Sequence, residues 1–118
     1  MQIEFLKGAF TMSENREYCK RIAEEIERIA AGKMVDDEGN QLSLYDYLFD
    51  VLDYEFTIDS QKEYKAAKIW VTLGGPNVWI DTAERAVKLA WGADRAEYLL
   101  NWDVCDEIDS IMQEIYAC

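Results

Sequence analysis

The chain contains no histidine. That absence removes the usual general base near neutral pH, the commonest transition-metal ligand, and every Ser-His or Cys-His nucleophilic mechanism. Cysteine is scarce and odd in number: Cys19, Cys105 and Cys118 form no C-x-x-C pair, so neither a disulfide framework nor a zinc site is indicated, and reduced thiols are expected. Cys19 and Cys105 lie in helical patterns and read as small core residues, while Cys118 is terminal. No run approaches the roughly 18 uninterrupted apolar residues of a membrane span. Nor does the N-terminus carry a long apolar stretch ending in a small-residue cleavage site, so the expected compartment is the cytoplasm. Basic residues are few: 12 Lys and Arg stand against 24 Asp and Glu, a formal charge of −12 and a pI near 4.3. Direct binding to a nucleic-acid backbone or an anionic membrane is disfavoured, and a charged partner should be basic.

What remains is a chain that folds. Its 118 residues are 50% hydrophobic and 13% aromatic, too apolar for a disordered solvating segment and too short for two cores, so a single domain over 1–118 is expected. Residues 1–11 (MQIEFLKGAFT) precede the first strong helical signal, and two readings are open. They form a short strand or arm, or Met12 is the biological start, because Lys7-Gly8-Ala9 is compatible with a purine-rich ribosome-binding sequence; the core is then 12–118.

Thr11 to Glu14 has the form of a capping box, and Tyr18, Ile22, Ile26, Ile29 and Ala30 then recur at helical spacing until Gly32. A polar connection over 33–41 centres on a turn at Glu38-Gly39-Asn40. Ser43 and Asp46 mark the start of a second helix, Leu44 to about Leu52, with Leu44, Leu48, Phe49 and Leu52 as its apolar side. From Tyr54 to Ile58 the period changes to two, the pattern of a strand. Residues 64–73 and 78–82 flank Gly74-Gly75-Pro76-Asn77 as an antiparallel hairpin; Ala86–Trp91 is a fourth strand and Ala96–Leu100 a fifth. A helix from about Asp103 to Tyr116, capped by Asn101 or Asp103, closes the chain with Val104, Ile108, Ile111, Met112 and Ile115 inward. The expected fold is α+β: an antiparallel meander of four or five strands with three helices packed on one face, in the order ααββββ(β)α.

The negative charge is segregated. Residues 34–61 hold eight acidic side chains and no basic one, and 96–118 hold six more, again with no basic one; the remainder carries ten acidic against twelve basic. On a helix Asp46, Asp50 and Asp53 fall at i, i+4 and i+7, stacking carboxylates about one 5.4 Å turn apart. The last helix sets Asp103, Asp106, Glu107 and Glu114 opposite its apolar stripe. Such rows imitate the field of a phosphate backbone and would attract a basic nucleic-acid-binding groove. The competing reading is a solvated face, with the helix dipole accounting for Asp46, Asp103 and Asp106.

Strand alternation sends Lys68, Trp70 and Thr72, with Trp79 and Asp81, to the sheet face away from the helices. Pairing Leu73 with Val78 makes Trp70 and Trp79 diagonal neighbours, an aromatic pair suited to a partner or a second copy. Trp91 reads as core and Trp102 as a helix-boundary residue. Asp36-Asp37-Glu38-Gly39-Asn40 lacks the D-x-D-x-D-G frame and the distal glutamate of a calcium loop, and the Gly74-Gly75 turn lacks the frame of a phosphate cradle. No catalytic pair of carboxylates is singled out, so no enzyme, metal or cofactor is expected.

The stretches LSLYDYLFDVLDYEF, LGGPNVWIDT and AVKLAWGADRAEYLL resemble, in texture and order, small acidic proteins carried on bacterial mobile elements. Within that group the anti-CRISPR and antirestriction inhibitors are similar in being short, acidic and non-enzymatic. The resemblance implies a DNA-mimicking inhibitor but contains no motif that transfers a residue role. The expectation is therefore a non-enzymatic binder of a basic, nucleic-acid-handling protein through Asp46, Asp50, Asp53, Asp103, Asp106, Glu107 and Glu114, with Trp70 and Trp79 as apolar anchors. The alternative is a small adaptor or homodimerising domain that uses the sheet face.

Overall fold

A computed structural model describes residues 12–51 and 53–118. The elements are α1 (Met12–Ala30), α2 (Leu44–Phe49), β1 (Asp53–Ile58), β2 (Tyr64–Thr72), β3 (Asn77–Asp81), β4 (Ala86–Trp91), β5 (Asp94–Leu99) and α3 (Trp102–Ala117). The five strands form one antiparallel sheet in sequence order, β1-β2-β3-β4-β5, so the α+β meander expected from the sequence is the fold. The two readings of residues 1–11 lie outside the described residues.

The core joins the apolar stripes of the helices to one sheet face. Cys19, Ile22, Ala23, Ile26 and Ile29 of α1, Leu44 and Leu48 of α2, and Val104, Cys105, Ile108, Ile111 and Met112 of α3 meet Ala67, Ile69, Val78, Ile80, Val87 and Leu89 of the sheet. Burial holds both core thiols in their neutral form, raising Cys19 and Cys105 to about 11. Gly32 ends α1 at φ +74, with Gly32 N–H donating to Ile29 O and Lys33 N–H to Arg28 O. That paired closure requires a left-handed residue, which only glycine adopts without strain.

Local chemistry sets the turns. The Asp36 carboxylate accepts from the backbone N–H groups of Glu38 and Asn40, both at 2.9 Å, which closes the D-D-E-G-N segment as a turn. These bonds, that from Asn40 foremost, hold the Asp36 carboxyl below its ordinary value. Asp59 does the same between β1 and β2, accepting from Gln61 and Glu63.

Four expectations are corrected. Helix α2 stops at Phe49 rather than near Leu52: the Asp50 N–H closes on Asp46 O and Tyr47 O, and Asp53 opens β1, paired with Trp70 of β2. Strand pairing there outweighs continuation of a helix too short to sustain itself. Phe49 does not join the core but is 61% exposed, stacked on Tyr45 with ring centroids 5.6 Å apart. β2 carries a bulge between Trp70 and Thr72, so Val78 faces Thr72 rather than Leu73. That extra residue swings Thr72 off the tryptophan face to line a hollow with Tyr18, Arg21 and Ile22 of α1. Finally, β5 begins at Asp94, because Trp91 pairs with Asp94 across the two-residue Gly92-Ala93 turn, Gly92 having φ +60.

Candidate interaction surface

Helix α2 owes its start to Ser43, whose Oγ accepts from Asp46 N–H at 3.0 Å. One turn later Asp50 closes it, so Asp46 and Asp50 project from neighbouring positions on the same side. Asp53 is absent from that stack: on β1 it sits opposite Trp70, its Oδ1 accepting from Tyr54 N–H at 2.8 Å. The expected triple row is thus a pair, with the third carboxylate delivered to the tryptophan face.

In α3 the cap is Asn101, whose Oδ1 accepts from Asp103 N–H at 2.8 Å. At 100° per residue Asp103, Glu107 and Glu114 lie within one narrow sector, while Asp106 is turned to the side. There Arg85 reaches it at 3.2 Å and also lies 4.1 Å over the Trp102 ring, so Asp106 is charge-compensated and leaves the candidate surface. Among the described residues, Asp46, Asp50, Asp53, Asp103, Glu107 and Glu114 make no ion pair.

Surface hollows connect the two helices. Glu27, Asp103 and Glu107 border one between α1 and α3. Glu107 also borders a second, with Gly32, Gln41, Leu42 and Ser43, where the Gln41 side-chain amide donates to Gly32 O at 2.9 Å. Leu42 then forms one wall of a third, shared with Asp46, Tyr47, Asp50, Val51 and Val71. Asp103, Glu107, Asp46 and Asp50 are therefore strung along adjoining depressions, although 57 residues separate Asp46 from Asp103 in sequence. Glu114 is exposed further along α3 and borders none of these hollows, and neither does Asp53.

The third hollow was not legible in the sequence. Its apolar wall comes from Leu42 before α2, Val51 after it and Val71 at the β2 bulge, three positions with no common periodicity. Tyr47 contributes a half-buried phenol whose pKa is pushed up to about 12, first by burial and then by the Glu25 carboxylate. The outward Tyr45–Phe49 pair on the same helix is not legible in the sequence either, because the helical spacing of Phe49 with Leu44 and Leu48 puts it on the apolar side.

On the opposite sheet face Trp70 and Trp79 are direct, not diagonal, partners, with ring centroids 4.8 Å apart and planes inclined by 38°. The bulge sets that register. Both rings are half-buried, and the Trp79 Nε1–H is enclosed without an acceptor among the described residues. The row continues through Lys88 to Glu97, with Lys88 Nζ 2.6 Å from Glu84 and 3.8 Å from Glu97. The bond to Glu84 raises the Lys88 pKa, so this face keeps a positive charge between carboxylates. Trp91 is partly buried against the core, and Trp102, at the first turn of α3, is 69% exposed.

Among the described residues no group of three or more Cys, Asp or Glu side chains is placed to hold a metal ion, and no helix is long and apolar enough to cross a membrane. No protein-family model, curated protein or solved structure matches the chain.

Proposed function

We propose that the protein is a non-enzymatic binding protein that presents the acidic arc of α2 and α3 to the basic groove of a nucleic-acid-handling protein, occupying it in place of a phosphate backbone. An inhibitor of a bacterial nucleic-acid enzyme is the form this reading takes. The observation that carries it is the alignment of Asp46, Asp50, Asp103 and Glu107 along adjoining hollows, none of the four ion-paired among the described residues. Like charges kept close on rigid elements repel one another, and a basic partner relieves that repulsion. Tyr45 and Phe49, exposed beside Asp46 and Asp50, supply apolar contact that salt does not screen.

The test is capture of basic proteins from a bacterial lysate, followed by release with duplex DNA. The reading expects nucleic-acid-binding proteins that DNA displaces, and association slowed about tenfold by Asp46→Lys with Glu107→Lys. Captured proteins indifferent to DNA, to salt and to both substitutions would overturn it.

A second reading draws on the tryptophan face. The half-buried Trp70–Trp79 pair on the sheet face suits a homodimer or an adaptor contact through the sheet. It requires a mass in solution above that of one chain, insensitive to salt and reduced by Trp70→Ala.

A further inference from the structure

The hollow beside α2 is open to solvent and has a volume of about 280 Å³. That volume lies at or below the lower limit of ordinary small-molecule sites, roughly 300–1,000 Å³, and suits a single extended side chain better than a nucleotide or a drug-sized ligand. Its walls are sorted by chemistry. Leu42, Val51 and Val71 are aliphatic, Tyr47 offers a ring, and among the described residues the charged groups that line it are the exposed carboxylates of Asp46 and Asp50. Neither has a cationic partner among the described residues, and the last turn of α2 contains no basic residue. An apolar hollow edged by two anions is complementary to a chain of methylenes ending in a cation.

The geometry points to one arginine side chain of the basic partner as the occupant. Its methylenes would lie against Leu42, Val51 and Val71, and its guanidinium would bridge Asp46 and Asp50. Side chains at i and i+4 of a helix have Cβ atoms roughly 5–6 Å apart, a gap that the planar fork of a guanidinium spans with separate N–H donors for each carboxylate. A lysine ammonium is a compact, strongly hydrated point charge; it gives up more hydration on entry and cannot stack on the Tyr47 ring as a flat guanidinium does. This inference rests on the acidic arc being the partner-binding surface and names the partner group that one part of it receives.

The experiment uses the whole chain and two small probes, propylguanidinium for arginine and butylammonium for lysine, each titrated while the methyl resonances of Leu42, Val51 and Val71 are followed by NMR. The expected result is saturable shifts of these methyls with propylguanidinium, binding several-fold weaker with butylammonium, and loss of about tenfold or more in affinity in the double variant Asp46→Asn, Asp50→Asn, two exposed sites at which the amide keeps the size of the side chain. Methyls that do not respond, or an equal response in the double variant, would overturn the socket. A third titration, with an arginine-rich peptide, separates this inference from the reading beneath it. Peptide binding along α2 and α3 that leaves these methyls unmoved overturns the socket alone, whereas probe binding in the hollow without peptide binding supports the socket and removes the extended surface.

Discussion

Asn15 shows how a single buried side chain departs from the rule that enclosed polar groups are bonded. It is fully buried on α1, and neither its Oδ1 nor its Nδ2 has a partner among the described residues. An enclosed amide without bonds forfeits its hydration, so Asn15→Leu, of similar shape, should raise stability by about 1 kcal/mol, read as a higher denaturant midpoint at unchanged slope. A lower midpoint would show that the amide is satisfied. The thiols give a second residue-scale expectation. Cys19 and Cys105 ionise near 9 when unfolded and at about 11 in the fold, so the folded state binds more protons between those values. Their contribution is fully present below about pH 9 and is lost as pH rises toward 11, and Tyr47, raised from 10 to about 12, continues the loss. Denaturant midpoints measured at neutral pH and near pH 10.5 should differ in that direction, and replacing both cysteines by alanine should flatten the difference.

Elements were legible where one local signal governs and illegible where pairing decides. The N-cap at Ser43 and the stop at Gly32 stand in the sequence because single side chains or a left-handed φ determine them. The end of α2 does not, since Asp50, Val51 and Asp53 remain compatible with a longer helix until β2 claims Asp53 as a ladder partner. The bulge at Val71 is equally silent: no glycine marks it, yet it fixes Trp70 opposite Trp79, removes Thr72 from their face and brings Val71 into the wall of the hollow. With six residues α2 has little helical stability of its own, and its cap carries much of what it has. Ser43→Ala should therefore cost about 1 kcal/mol and should disturb the amide resonances of Asp46 and Asp50 before those of α3. A global loss without that local change would mean that α2 is held by packing of Leu44 and Leu48 alone.

At the scale of the whole molecule, four of the carboxylates singled out in the sequence lie along adjoining hollows, and others are placed elsewhere. Asp46 and Asp50 line one hollow and Asp103 and Glu107 another, and the hollow bordered by Leu42 and Glu107 lies between the two. Asp53 crosses to the tryptophan face, and Asp106 is taken by Arg85, a contact between distant segments that no charge count reveals. The most direct test is amide chemical-shift mapping of the intact chain titrated with an arginine-rich peptide. The account predicts perturbations concentrated around Asp46, Asp50, Asp103 and Glu107, weakening with added salt and abolished when these four are changed to their amides; perturbations spread evenly over the surface, or centred on Trp70 and Trp79, would contradict it.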